Sequence, residues 1–176
     1  MTRPTLHTQR LTLRPFTLDD APAVHRLAGA YEVALNTALI PHPYPEGAAE
    51  EWIGVHQEDY DQNRIHHFAI DDGQLAGAIG LVMKGDDIAE IGYWIGVPFW
   101  NRGYASEAAV EVIRYGFEQC RLERIFAGHY GRNAASGRVM QKAGMQYEGT
   151  LRKHAVKWGV RLDVVFYGLL REEWRG

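Results

Sequence analysis

The stretch Ile88-Ala-Glu-Ile-Gly-Tyr-Trp-Ile95, running on through Gly96-Val-Pro-Phe-Trp-Asn-Arg-Gly103-Tyr-Ala-Ser106, decides the reading of this chain. Its first eight residues read as a strand. From Ala105 the apolar period changes: Ala105, Ala108, Ala109, Val112, Ile113, Gly116 and Phe117 fall on one helical stripe. A strand therefore passes through a short glycine-containing turn directly into a helix. Gly103 lets the backbone approach a ligand closely, and Ala105 leaves nearly as much room. The start of a helix presents unpaired N–H groups and the positive end of a dipole, which together suit a phosphate. Arg102 adds a full positive charge there. A glycine turn that merely caps a helix has the same local sequence. No Gly-x4-Gly-Lys-Ser/Thr is present, and no Gly-x-Gly-x-x-Gly, so neither the P-loop nor the dinucleotide-binding turn applies.

Upstream of this segment, Leu11 and Leu13 alternate with polar residues as a first strand ending at Pro15. Thr17 offers a helix N-cap with Asp20 three residues on, and the helix continues through Val24, Leu27 and Ala28. Pro41, Pro43 and Pro45 stiffen a loop spanning Asn36 to Gly47 and forbid a helix there. Ala48, Trp52 and Val55 have helical spacing. His67 to Asp71 and Leu75 to Met83 read as two strands across an Asp-Asp-Gly turn. Downstream lie a strand at Arg124 to Tyr130, a short helix from Asn133 to Ala143 stopped by Gly144, and two strands, Gln146 to Lys157 and Val160 to Leu170, joined at Trp158-Gly159. The expected fold is mixed α/β (α+β) with a largely antiparallel sheet, one domain over residues 1–176.

The bulk properties narrow the function. A net charge of −3 argues against a dedicated nucleic-acid binder. The single cysteine, Cys120, excludes an internal disulfide and fits a reduced, cytoplasmic setting. The N-terminal residues lack the apolar stretch of a signal peptide, and the longest apolar run, Ile91 to Trp100, is too short to cross a membrane.

A second segment, Asn133-Ala-Ala-Ser136-Gly-Arg-Val-Met140-Gln-Lys-Ala-Gly144-Met145, follows roughly one strand–helix unit after the first. The pair resembles the Gcn5-related N-acetyltransferase (GNAT) superfamily, in particular its ribosomal-protein N-terminal acetyltransferases of the RimJ/RimL type. The resemblance extends over nearly the whole chain. It takes in Gln9-Arg10-Leu11-Thr12-Leu13-Arg14-Pro15, Pro43-Tyr44-Pro45 before Trp52, Glu90 to Ile95, and Asp163-Val-Val-Phe-Tyr167 through Trp174. It implies a mostly antiparallel sheet of about seven strands, splayed between the fourth and fifth and flanked by about four helices. It also implies acetyl-CoA as cosubstrate and no metal, with an acyl-CoA site along Ile95, Gly96 and Val97. The pyrophosphate would rest on the amides of Arg102, Gly103, Tyr104, Ala105 and Ser106, and the pantetheine arm would lie between the splayed strands, with Asn133 and Ser136 facing its thioester end. Two positions depart from the family pattern: Trp100 stands where Gln or Arg is usual, and Met140 where many relatives carry a proton-donating tyrosine. Backbone amides bind the phosphates, so the first departure leaves the cofactor site in place.

Acetyl transfer needs a neutral amine, a polarised carbonyl and a proton for the leaving thiolate. Glu90 is the base candidate. On an alternating strand Ile88, Glu90, Gly92 and Trp94 share one face, and Gly92 leaves room beside the carboxylate. Relatives carry a glutamate at this place; an ordinary ion-paired surface glutamate is the alternative. A main-chain N–H near Ile95 serves the carbonyl. Ser136 is the candidate to hydrogen-bond or protonate the sulfur, with Asn133 positioning the pantetheine, although Asn133 as a plain N-cap explains the same residues. Tyr167 is a weaker proton donor, since strand aromatics are usually core.

His66 and His67 adjoin and face opposite sides of a strand, so they do not share a metal; His129 and His154 stand alone, and no zinc pattern occurs. Cys120 has no activating neighbour in the sequence, so direct attack by the amine is expected rather than a thiol intermediate. By resemblance, the acceptor pocket is shaped by the 36–47 loop and residues 146–160, with His42, Tyr44 and Trp158 as lining candidates. Lys153, His154, Lys157 and Arg161 make that hairpin positive, which suits an acceptor bearing carboxylate or phosphate better than a polycation. The acceptor is a peptide N-terminus or a small-molecule amine. Polyamine or aminoglycoside acetylation on the same fold and a non-catalytic acyl-CoA-binding protein are the alternatives. Relatives often pair, which leaves a homodimer open.

Overall fold

The computed structural model describes residues 1–176. Its strands are β1 (Leu6–His7), β2 (Thr12–Arg14), β3 (Ile65–Asp71), β4 (Leu75–Gly85), β5 (Ile88–Ile95), β6 (Arg124–Tyr130), β7 (Gln146–Lys157) and β8 (Val160–Leu170). The helices are α1 (Ala21–Ala28), α2 (Tyr31–Asn36), α3 (Ala48–Gly54), α4 (His56–Asp61), α5 (Tyr104–Glu118) and α6 (Ala134–Lys142). All strands join one sheet in the order β1-β2-β3-β4-β5-β6-β8-β7. Every neighbouring pair is antiparallel except β5 and β6, which are parallel.

The sequence reading holds for the fold class, with more elements than expected. There are eight strands instead of about seven and six helices instead of about four. The additional strand is β1, two residues long, which precedes Pro-bounded β2 and moves the splay to the fifth and sixth strands in chain order. Two residues carry too little alternation to be seen. The helix read from Ala48 to Val55 ends at Gly54, and a further turn, α4, follows Val55. Tyr31–Asn36 forms a helix in what had no assigned structure.

The splay has a simple cause. β5 is bonded to β4 along its length, out to Ile95 opposite Gly77, and β6 is bonded to β8 from Arg124 opposite Leu170 to Tyr130 opposite Val164. The two half-sheets meet only where Ile88, Ala89 and Glu90 pair with Arg124, Ile125 and Phe126. Beyond Glu90 each half follows its own twist, and β5 and β6 part. One face of β5 carries Ala89 and Ile91 into the core against α5, whose Ala108, Ala109, Val112 and Ile113 are buried as the helical stripe requires.

A buried aromatic group ties α3 and α4 to the sheet. His56 is 1% exposed, stacks on His67 at 3.9 Å and packs beside Phe16 and Trp52, and neither of its ring nitrogens has a hydrogen-bond partner. Burial above all, then the neighbouring His67, depresses His56 to about 2; burial likewise brings His67 to about 4 despite attraction by Asp59, and His66 to about 4. An unfolded histidine titrates near 6.5. Between about pH 6.5 and 4 the unfolded chain therefore takes up protons that the native protein refuses, and stability falls as the pH is lowered through that window. His56→Phe removes two orphaned buried nitrogens and one such proton. The variant is expected to melt higher than the parent at pH 5, with a smaller drop between pH 8 and pH 5, as read by thermal unfolding followed by circular dichroism. An identical pH slope in parent and variant contradicts this assignment.

Candidate active site

At the N-terminus of α5 the chain turns through Asn101 (φ +61°) and Gly103 (φ +81°) before the helix begins. The first α5 amide with a main-chain acceptor is that of Glu107, to the Gly103 carbonyl at 3.1 Å; the N–H groups of residues 101–106 have none. Such a row of free donors at the positive end of a 15-residue helix is an anion cradle. A side chain at position 103 would occupy a left-handed conformation and bring its Cβ within 3.4 Å of Arg10 Nη2. Arg10 itself pairs with Glu107 at 2.7 Å. Burial pushes the Glu107 carboxyl up, but bonds from Thr8 and Arg10 outweigh it and hold the group below its ordinary value. Their charges cancel, and Arg102, whose guanidinium donates to the Pro98 carbonyl at 3.0 Å and lies over Phe99, is the cation left without a carboxylate. Tyr104 donates to Asp72 at 2.6 Å, fixing the helix start to the β3–β4 turn.

The cradle opens onto the gap between β5 and β6. The Gly96 N–H donates to Ala76 at 2.9 Å, so by antiparallel alternation Trp94, Gly92 and Glu90 direct their main-chain groups at β4. Tyr93 and Ile95 direct theirs into the gap. The indole of Trp100, the residue that departs from the family pattern, donates to the Ile95 carbonyl at 2.7 Å. The Ile95 N–H remains facing the opening. Val97 is exposed at the gap's rim, following Gly96 into the 3-10 turn Val97–Phe99.

α6 closes the other side. Asn133 caps it, its side chain accepting from the Ser136 N–H at 3.3 Å. Ser136 Oγ lies 2.8 Å from the Tyr93 hydroxyl, which also donates to the Ser136 carbonyl at 3.1 Å. Burial outweighs the bond from Ser136 and pushes Tyr93 up to about 12, so the phenol keeps its proton at neutral pH. Tyr93 was not singled out as a functional residue in the sequence; its place on the same strand face as Ile91 and Ile95 was the available signal. Gly137 is needed here: a Cβ would stand 2.8 Å from His129 Nε2, so the glycine lets α6 sit against β6 and carry Ser136 to Tyr93. Tyr167 is buried, stacks on His129 and accepts from Gln141 at 3.2 Å, which makes it a packing residue.

Glu90 sits on the opposite face of β5 from Tyr93 and pairs with Lys84 at 2.8 Å, about one third exposed. Glu90 and Ser136 thus lie on opposite faces of β5. The three acceptor-pocket candidates separate. Tyr44 lines an apolar cavity of about 200 Å³ with Ile40, Trp52 and Trp94, and its phenol is raised by burial, then by Glu50. His42 and Trp158 instead join Tyr31 in an exposed aromatic group, with Tyr31 stacked on Trp158 at 5.5 Å. The larger cavity, about 530 Å³, lies at the far end of α5, between Met1, Tyr60, His66, Tyr115 and Cys120. There Cys120 Sγ is 3.6 Å from His66 Nδ1, a neighbour in space that the sequence did not reveal. Burial raises the thiol and depresses the imidazole, so the pair holds no thiolate.

Residues 10–146 match the model of the acetyltransferase (GNAT) domain family. The chain is 31% identical over 176 residues to p20 of Bacillus licheniformis, named an uncharacterized N-acetyltransferase, covering 98% of this chain and 99% of that protein. It is 33% identical over 135 residues to YdaF of Bacillus subtilis, provisionally named a ribosomal N-acetyltransferase, covering 76% and 72%. Among solved structures, RimJ of Mycobacterium smegmatis in complex with CoA-disulfide has the same fold, with a TM-score of 0.87 at 23% identity over 97% of this chain and 89% of that one.

Proposed function

From the premise that this chain belongs to the GNAT acetyltransferase family, we propose that it transfers the acetyl group of acetyl-CoA to a primary amine by direct attack on the thioester. The observation that carries the reading is the row of unbonded amides at residues 101–106, opening onto the gap between β5 and β6. The residues fit a diphosphate with a linear arm: a cradle that a Cβ at 103 would narrow, one free guanidinium at Arg102, and main-chain groups of Tyr93 and Ile95 along the gap. When bound, the thioester supplies the activated acetyl group. The chain belongs by likeness with the ribosomal-protein acetyltransferases of the RimJ/RimL type.

Glu90 accepts a proton from the amine, directly or through water. Freeing an α-amine of pKa about 8 at neutral pH costs roughly 1 kcal/mol, against about 4.6 for a lysine at 10.4, so a modest base suffices for a peptide N-terminus. The Ile95 N–H faces the carbonyl oxygen as negative charge develops on it. As the new C–N bond forms and the C–S bond breaks, Ser136, held 2.8 Å from the Tyr93 hydroxyl, gives the sulfur a proton; solvent then returns a proton to Ser136 and takes the amine's proton from Glu90. Free-thiol release from acetyl-CoA, screened over peptides, amino acids, polyamines and aminoglycosides, tests the proposal. Amine-dependent release is expected. Tight acetyl-CoA binding with no release across the panel favours a non-catalytic acyl-CoA binder.

A further inference from the structure

Two cations beside the segment from Leu35 to Ile40 have no anion to face. Lys157, the last residue of β7, is 6% exposed, and its ammonium donates to the Ile40 carbonyl at 2.9 Å. An ammonium has three donors, and only this one is used. Arg132, between β6 and α6, donates to the Leu35 carbonyl and lies over the Tyr130 ring at 5.5 Å. Burial, and then the charge of Arg132, holds Lys157 below the ordinary ammonium range. The chain has 22 acidic residues against 19 basic ones, so acid is available, and yet neither cation is paired with any. A buried cation without a counter-ion costs stability, which folding alone gives no reason to retain.

A second observation points to the same place. Trp158 is 46% exposed and holds φ +49° in the two-residue turn with Gly159 (φ +79°), where both residues need the left-handed region. Asn, Asp or Gly normally fills the first position of such a turn. Here a large ring is held there, stacked on Tyr31, with Lys157 Nζ 4.9 Å from its centre. Ile40, whose carbonyl anchors Lys157, also lines the apolar cavity that reaches Trp94, on the Glu90 face of β5.

We infer that Lys157 and Arg132 form an anion-binding subsite walled by Trp158, so that the acetylated amine carries a carboxylate or a phosphate group. The inference deepens the acetyl-transfer reading and rests on it.

Matched C-amidated dipeptides with the same α-amine provide the test: alanyl-glutamate against alanyl-glutamine, and alanyl-phosphoserine against alanyl-serine. The charged member of one or both pairs is expected to show kcat/KM at least about 10-fold higher, the two pairs separating carboxylate from phosphate. Lys157→Met and Arg132→Gln are each expected to abolish that advantage while leaving the neutral members and coenzyme A affinity unchanged. The Arg132 variant sits at the surface and keeps the test sound should the Lys157 variant fold poorly. Equal rates for charged and neutral acceptors overturn the subsite and leave acetyl transfer standing. Quenching of tryptophan fluorescence by inorganic phosphate and by acetate at fixed ionic strength reads the subsite without turnover. Saturation by either anion that disappears in both variants supports it. The same response in parent and variants overturns it. Failure of acetyl-CoA to bind or release thiol with any acceptor defeats the acetyl-transfer reading separately.

Discussion

Gly103→Val is expected to weaken coenzyme A binding by about 100-fold or more while the protein remains folded. The position holds φ +81°, a conformation that costs a β-branched residue about 1–2 kcal/mol or forces the turn to open. The neighbouring amides are what the diphosphate would bond, and each charge-assisted hydrogen bond lost is worth about 1.5–3 kcal/mol, or roughly 10- to 100-fold in affinity. Two misaligned amides suffice for the expected loss. The fold itself loses little, because the turn is at the surface and α5 is held by its buried stripe and by Tyr104 on Asp72. Titration calorimetry with coenzyme A, alongside a melting curve of the variant, checks both halves. Unchanged affinity in a folded variant removes the cradle from the account.

The second large effect concerns the chemistry. Glu90→Gln keeps the side chain's size and its position beside Gly92 but removes the proton acceptor, and kcat is expected to fall by about 10² to 10³ with coenzyme A affinity intact. The deficit carries a pH signature. An α-amine loses its own proton near pH 8, so the variant should recover part of the lost rate between pH 7 and 9, while the parent gains less. A neutral-pH rate equal to the parent's returns Glu90 to the role of an ordinary partner for Lys84, 2.8 Å away.

How much of this was written plainly in the sequence depends on the range of the interactions involved. The strand–turn–helix from Ile88 to Phe117 was legible because alternation, a glycine at a turn and a 3.6-residue stripe are all local signals, and the structure has them where they were read. The helix opening at Asn133 was legible for the same reason: cap, helix and Gly144 stop lie within a dozen residues. The Tyr93–Ser136 contact was not, since it joins residues 43 apart across two elements. His66 beside Cys120, 54 apart, escaped likewise. Lys157 was read as one of several charges that make the last hairpin positive; that it is buried, with the Ile40 carbonyl against its ammonium, is a long-range packing event with no local pattern. His42, Tyr44 and Trp158 were grouped as one pocket on the family resemblance of the loop and the hairpin that carry them. The chain sends Tyr44 inward toward Trp52 and Trp94 and leaves the other two outside with Tyr31.

The central claim is one of place: main-chain nitrogens at the start of α5 hold a diphosphate whose thioester arm enters between β5 and β6. A crystal structure of the protein soaked or co-crystallised with coenzyme A tests it most directly. The account predicts pyrophosphate oxygens within ordinary hydrogen-bond distance of the amides between Arg102 and Ser106, with the sulfur reaching toward Ser136 and Tyr93. Coenzyme A bound with its diphosphate at any other surface, leaving those amides to solvent, contradicts it.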